Sequence, residues 1–165
     1  ELEYLESVLS AIDASDDDND ITEIRRELIN EGYIRAKKQD KAKNNKKTKP
    51  VHFVSSDGFD IYAGKSNIQN DELTLHFADS DDIWLHTKNI PGSHVIIKCG
   101  ENSVPDRTIE EAATIAAYYS KAKESTKVPV DYTPRKYVKK PNGAKPGMVI
   151  YVNNKTVYVT PKESI

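Results

Sequence analysis

The fourteen residues Asp82-Ile-Trp-Leu-His-Thr-Lys-Asn-Ile-Pro-Gly-Ser-His-Val95 narrow the folds open to this chain. Two apolar-rich runs, Asp82–Thr87 and His94–Cys99, flank a Pro-Gly turn. Short runs joined by a tight turn read as neighbouring antiparallel strands. Side chains alternate across a strand, so Trp84 and His86 share one face, whereas the adjacent Ser93 and His94 point to opposite faces. The stretch holds the chain's one tryptophan and two of its four histidines, a concentration that calls for either a packed core or a working surface.

Similar signals place the other elements. Val51–Ser55 and Asp60–Ala63 alternate around Ser-Asp-Gly and predict two strands. Ser66 is a fitting N-cap for a helix over Asn67–Ala78. Thr108 and Glu111 have the spacing of a capping box. The helix they open carries Ile109, Ala112, Ala113, Ala116, Ala117 and Ser120 on one face, small enough for close approach to a sheet. Val128–Tyr132 predicts a strand, and Met148–Val152 with Thr156–Thr160 a hairpin, its turn at Asn153-Asn154 where left-handed backbone is tolerated. The expected fold is an α+β domain over residues 51–165, a mostly antiparallel sheet with two packed helices.

Two segments precede it. Leu2, Leu5, Leu9 and Ile12 recur at the spacing of a coiled-coil seam. A second helix follows, with Asp20 as N-cap, Glu23 completing a capping box, a stripe of Ile21, Ile24 and Leu28, and Gly32 past its end. Residues 1–34 therefore predict the end of a helical coiled-coil arm belonging to a longer protein. Residues 35–50 are basic and lack apolar periodicity, which predicts a flexible linker. Its charge suits a simple tether and a nucleic-acid contact equally.

The net charge of −2 conceals an alternation. Residues 1–34 carry eleven acids and two bases, 35–50 one acid and eight bases. Residues 51–120 carry eleven acids and four bases, and 121–165 three acids and ten bases. Partners are thus better read from the basic segments than from the total. No apolar run approaches the roughly 20 residues of a membrane helix, so membrane insertion is not expected. A single cysteine, Cys99, excludes an internal disulfide and suits a reducing cytoplasm.

Catalysis finds little support. Ser93 and His94 cannot readily share a proton from opposite faces, and no nucleophile elbow, phosphate loop or dinucleotide fingerprint is present. No enzymatic activity and no cofactor are expected. His86 and His94 can face each other across the turn, but a structural zinc needs four ligands and Cys99 is the only thiolate, so no metal is expected. Nucleic-acid binding fits better. An exposed Trp84–His86 pair would stack bases. Lys65, Lys88, Lys136, Lys139, Lys140 and Lys145 would meet phosphates, and Asn67 and Asn70 near a helix start would meet a phosphate or base edge. The same residues also have plainer readings: Trp84 as core, the basic run as a solvated loop, the amides as caps.

The runs Tyr62-Ala-Gly-Lys-Ser-Asn-Ile-Gln-Asn-Asp and Asp82-Ile-Trp-Leu-His through Pro91-Gly-Ser-His-Val resemble the NFACT RNA-binding domain, the C-terminal domain of RqcH-type, fibronectin-binding protein A-like proteins. Val138-Lys-Lys-Pro-Asn-Gly-Ala-Lys-Pro-Gly-Met and Thr156-Val-Tyr-Val-Thr-Pro resemble its Gram-positive, streptococcal branch. The resemblance implies a module of a ribosome quality-control factor that contacts tRNA and the large ribosomal subunit and supports C-terminal tailing of stalled nascent chains. It also implies partnership with the N-terminal domains of the same protein, and a cytoplasmic location. For the streptococcal type it implies a fibronectin-binding adhesin at the cell surface as the alternative. The family's pattern falls on Gly64, Lys65, Asn67, Asn70, Asp71, Trp84, His86, Pro91, Gly92, Ser93 and His94.

Overall fold

A computed structural model describes residues 1–15, 17–38 and 48–165. The linker expected over 35–50 lies largely outside the described residues. The fold is α+β. Six strands form one sheet: β1 (Val51–Val54), β2 (Asp60–Ala63), β3 (Ile83–Thr87), β4 (Val95–Lys98), β5 (Val128–Pro134) and β8 (Lys155–Val159). Their order is β1-β2-β4-β3-β5-β8 and every pairing is antiparallel. As the alternation requires, Leu85, Val95 and Ile97 point to one face, Trp84 and Ile96 to the other.

The first face carries the larger core. Helix α4 (Asp106–Tyr118) lays Ala112, Ala113, Ala116 and Ala117 on the sheet, all wholly buried. The expected capping box is not its start. Pro105 occupies the N-cap position, and Thr108 sits one turn inside, its hydroxyl bonded to Ser55 and Asp57. Proline's fixed φ suits a helix entrance, and this moves the start upstream of Thr108.

The second face is covered by the segment that follows Ser66. Ser66 caps as expected, accepting from Gln69 N. The helix then changes character: α3 (Asn67–Asp71) passes into a π-helical turn over Glu72–Phe77, with Ala78 N bonding back to Leu73 O. Arg135 supplies a cause, because its guanidinium donates to the Thr74 carbonyl and draws it out of the ordinary ladder. π-Turns of this kind frequently mark functional sites.

The expected terminal hairpin does not form. Asn153 has the left-handed backbone predicted for a turn (φ 56°), but β7 (Ile150–Tyr151) pairs with β6 (Val138–Lys139), while β8 pairs with β5. The two runs thus serve different sheets, and the β6–β7 ribbon covers Trp84.

Helices α1 (Leu2–Ala14) and α2 (Asp18–Asn30) pack on each other and on the sheet domain. The Leu2/Leu9 seam is not the packed face: Leu2 is 71% and Leu9 61% exposed. Tyr4 and Val8 turn inward instead, against Ile24, Leu28 and Met148. Asp17, not Asp20, caps α2, accepting from Asp20 N. Gly32 ends it with φ 83°, in a Schellman arrangement of Gly32 N to Ile29 O and Tyr33 N to Leu28 O.

Candidate RNA-contacting site

The fold gathers the signature residues at one place. Ser93 Oγ donates to the Gly64 carbonyl. His94 N donates to Asn70 Oδ1 at 3.0 Å, tying β4 to α3. Gly92 packs so closely on Ser120 that a Cβ would lie 2.8 Å from Ser120 Cβ, so only glycine fits. Gly147 has φ 77° and abuts the Asn67 side chain, a second position closed to other residues.

His94 is an interior residue, 2% exposed. Its Nε2 lies 3.0 Å from the Gly147 carbonyl, which can only accept, so Nε2 carries the proton. Nδ1 then accepts from the Thr74 hydroxyl at 2.8 Å. Burial pushes its pKa well below the usual histidine value, and neighbouring His86 adds to this. With both nitrogens engaged, this ring stays neutral and is not free to bind a metal. Among the described residues no three His, Cys, Asp or Glu side chains gather as a metal site.

Trp84 corrects the stacking-platform reading. It is wholly buried among Leu73, Ile96 and Val138, with Tyr151 at 4.7 Å between ring centroids. A ring with no exposed face cannot stack a base. The shared face of Trp84 and His86 is nevertheless real: the rings are near parallel (7°) with centroids 5.8 Å apart. His86 is the partly exposed member of the pair. Burial lowers its pKa, which backbone groups of Thr87 and Gly92 and the Asp131 carboxylate only partly oppose.

Sequence reasoning missed Asp131. It sits opposite His86 in the β3–β5 register and is 2% exposed. Tyr151 Oη (2.5 Å) and Thr156 Oγ1 (2.6 Å) donate to it, and Lys88 Nζ lies 3.5 Å away. A charged residue at an inward position of Val130-Asp-Tyr-Thr was the available signal.

Most of the expected phosphate ligands hold carboxylates of this same chain. Lys65 meets Asp20 (3.5 Å), Lys136 Asp81 (3.3 Å), Lys140 Asp71 (3.1 Å) and Lys145 Glu31 (3.3 Å). Lys140 also donates to the Lys145 carbonyl at 2.7 Å, which makes it a staple of its own loop. Among the described residues, Lys139 is the one expected cation that is exposed and forms no ion pair. The α3 amides likewise work internally. Asn67 Nδ2 donates to Ser7 Oγ (2.9 Å) and Glu27 Oε2 (3.3 Å), joining α1 and α2 to α3.

That joint is unusual in its chemistry. Glu27 is 1% exposed, accepts from Tyr4 Oη at 2.5 Å, and its Oε1 has no hydrogen-bond partner among the described residues. Burial pushes its carboxyl above the ordinary range, Asp71 adds to the rise, and the bonds from Tyr4 and Asn67 only partly oppose it. A raised carboxyl favours the docked state fully below about pH 4.3, its unfolded value, and loses that contribution as pH rises through the folded value. Amide exchange in α1 and α2 is therefore expected to quicken several-fold between pH 5 and pH 8 beyond its intrinsic pH dependence. Glu27→Gln should flatten this, and an unchanged pH response in the variant would assign the effect elsewhere.

A cleft of about 420 Å³ opens where these parts meet. Trp84 and His86 of β3 line it with His94 just before β4, Tyr151 lines it from the β6–β7 ribbon and Met148 from the segment before β7, and α1 contributes Glu3, Glu6 and Ser7.

Comparison with known proteins agrees with this architecture. Residues 49–153 match the family described as NFACT protein RNA binding domain, and residues 1–47 match NFACT N-terminal and middle domains. The Rqc2 homolog RqcH of Bacillus subtilis is 52% identical over 164 residues, 98% of this chain and 28% of that protein. RqcH of Streptococcus suis is 46% identical over 87% of this chain and 26% of its own length. The chain thus spans little more than a quarter of these curated relatives. The solved C-terminal part of the fibronectin/fibrinogen-binding protein from Streptococcus suis superposes with a TM-score of 0.90 at 43% identity, covering 98% of this chain and 64% of that one. From the sheet, its signature hairpin and these matches, the chain belongs to the NFACT RNA-binding-domain family.

Proposed function

We propose that this chain is the RNA-contacting module of a ribosome quality-control factor working in the cytoplasm. Residues 51–165 form the RNA-binding unit, and residues 1–34 end the arm that leads to the rest of the protein. Its RNA partners are tRNA and the large ribosomal subunit, and it supports C-terminal tailing of stalled nascent chains without an active site of its own. The observation that carries this reading is the match of the sheet domain to an RNA-binding family, joined to RqcH relatives across nearly the whole chain. Lys139, Lys136 and Lys88 are the most exposed of the expected cations.

Titration of tRNA against the whole chain at several salt concentrations tests it. Three phosphate contacts predict log K falling against log salt with a slope of about −2 to −3. Lys139→Ala should weaken binding and reduce the slope by about 1. Absence of tRNA binding at low salt would sink the proposal. Fibronectin belongs in a parallel titration, because the Streptococcus suis neighbour is described as binding it. Tight, salt-insensitive fibronectin binding without tRNA binding would favour an adhesin instead.

A further inference from the structure

The cleft beside His86 has a chemistry that the phosphate-binding reading does not use. Among the described residues no lysine or arginine lines it. Two carboxylates, Glu3 and Glu6 of α1, stand on one side, and His86 and His94 on the other are uncharged imidazoles. A phosphate entering would meet the Glu3 and Glu6 carboxylates with no described cation in the lining to offset them, which is unfavourable where water is partly excluded. Ile90, Pro91, Met148 and Val149 add apolar wall. A flat aromatic ring without negative charge fits between such walls, and the volume lies in the range of small-ligand sites.

The carboxylates narrow this further. They accept hydrogen bonds and repel carbonyl oxygens, so they favour a ring bearing an exocyclic amine; Glu and Asp pair in this way with the cytosine N4 amine. His86 supplies a ring already backed by Trp84, a supported surface for stacking.

We propose that this cleft holds one unstacked, amine-bearing nucleobase of the bound RNA, stacked on His86 with Glu3 or Glu6 accepting from its amine. The proposal rests on the RNA-binding reading above and adds to it a base-selective pocket separate from the phosphate contacts. Selection in such a pocket is by base edge, independent of salt, whereas Lys139 acts on any sequence.

The chain's one tryptophan makes the test direct. Trp84 lies against His86, so its emission reports what enters the cleft. The intact chain is titrated with cytidine, uridine and ribose 5-phosphate. Cytidine should give a saturable change, uridine should bind about tenfold more weakly, and ribose 5-phosphate should give none. Glu3→Gln with Glu6→Gln, on the partly exposed α1 surface, should leave the fold intact and erase the cytidine–uridine difference. His86→Ala should weaken cytidine about tenfold. An equal response to uridine or ribose 5-phosphate would overturn base selection. No saturable response to any nucleoside would overturn the pocket alone if tRNA still binds, and both readings if it does not. A response to N-acetylphenylalaninamide but not to cytidine would give the cleft to a peptide side chain and overturn the proposal.

Discussion

Replacing Trp84 by alanine is expected to cost the sheet domain about 3–5 kcal/mol. That is a large share of the roughly 5–15 kcal/mol by which ordinary domains are stable. The ring is wholly buried, sandwiched between the sheet and the β6–β7 ribbon, and its removal would leave Leu73, Ile96 and Val138 around a void. Such a loss also frees the ribbon, because Tyr151 packs on that ring. Trp84→Phe should cost far less. It keeps the aromatic fill and removes the indole N–H, which is buried without an acceptor among the described residues. Urea unfolding followed by far-ultraviolet circular dichroism measures both variants, since the substitution removes the fluorophore. An alanine variant with an unshifted midpoint and weakened RNA binding would return Trp84 to the surface.

The second large effect is expected at Asp82. Its side chain is fully buried, and its two oxygens accept four bonds: from Lys98 Nζ (2.6 Å), Gly100 N (2.8 Å), Asp79 N (2.8 Å) and Cys99 N (2.9 Å). The carboxylate thus fixes the end of β4 to the entrance of β3. Burial alone would raise its pKa, but the Lys98 ammonium and the three N–H groups outweigh it and hold it below the usual aspartate range. Asp82→Ala should cost about 3–5 kcal/mol, the usual penalty for breaking a buried pair. The stabilisation is present above about pH 4, where the unfolded carboxyl ionises, and is lost as pH falls through the lower folded value. Acid unfolding of Asp82→Asn should accordingly show a shallower pH dependence below pH 4 than the parent. Parallel acid limbs would remove Asp82 from the account.

These two residues bracket what a sequence can reveal. Alternation put Trp84 and His86 on one face, and that follows from strand geometry alone. Whether the face was wet depended on Val138 and Tyr151, more than fifty positions downstream in a segment with weak strand signals. The small face of α4 was legible because a run of alanines at helical spacing has few other uses. The start of α4 was misjudged because Pro105 competed with an equally plausible capping box. The leucine spacing of α1 described a seam, but Tyr4 and Ser7, bonded to Glu27 of α2 and to Asn67, turned the packed face away from Leu2 and Leu9 and kept only Leu5 of the seam against the core. The cations were countable, but charge counts carry no distances. Asp81, Asp71 and Glu31 neutralise them from 55, 69 and 114 positions away.

The docking of α1 on Asn67 carries a thermodynamic consequence. One helix supplies a wall of the cleft and also bears on the domain through Tyr4 and Glu27. Occupancy of the cleft and seating of the arm are then linked equilibria. A ligand that prefers the seated arm tightens it by the same factor by which the seated arm tightens the ligand. Such reciprocity makes the pair α1 and α2 a transmission element, through which any change in how the two helices seat is felt as affinity beside His86.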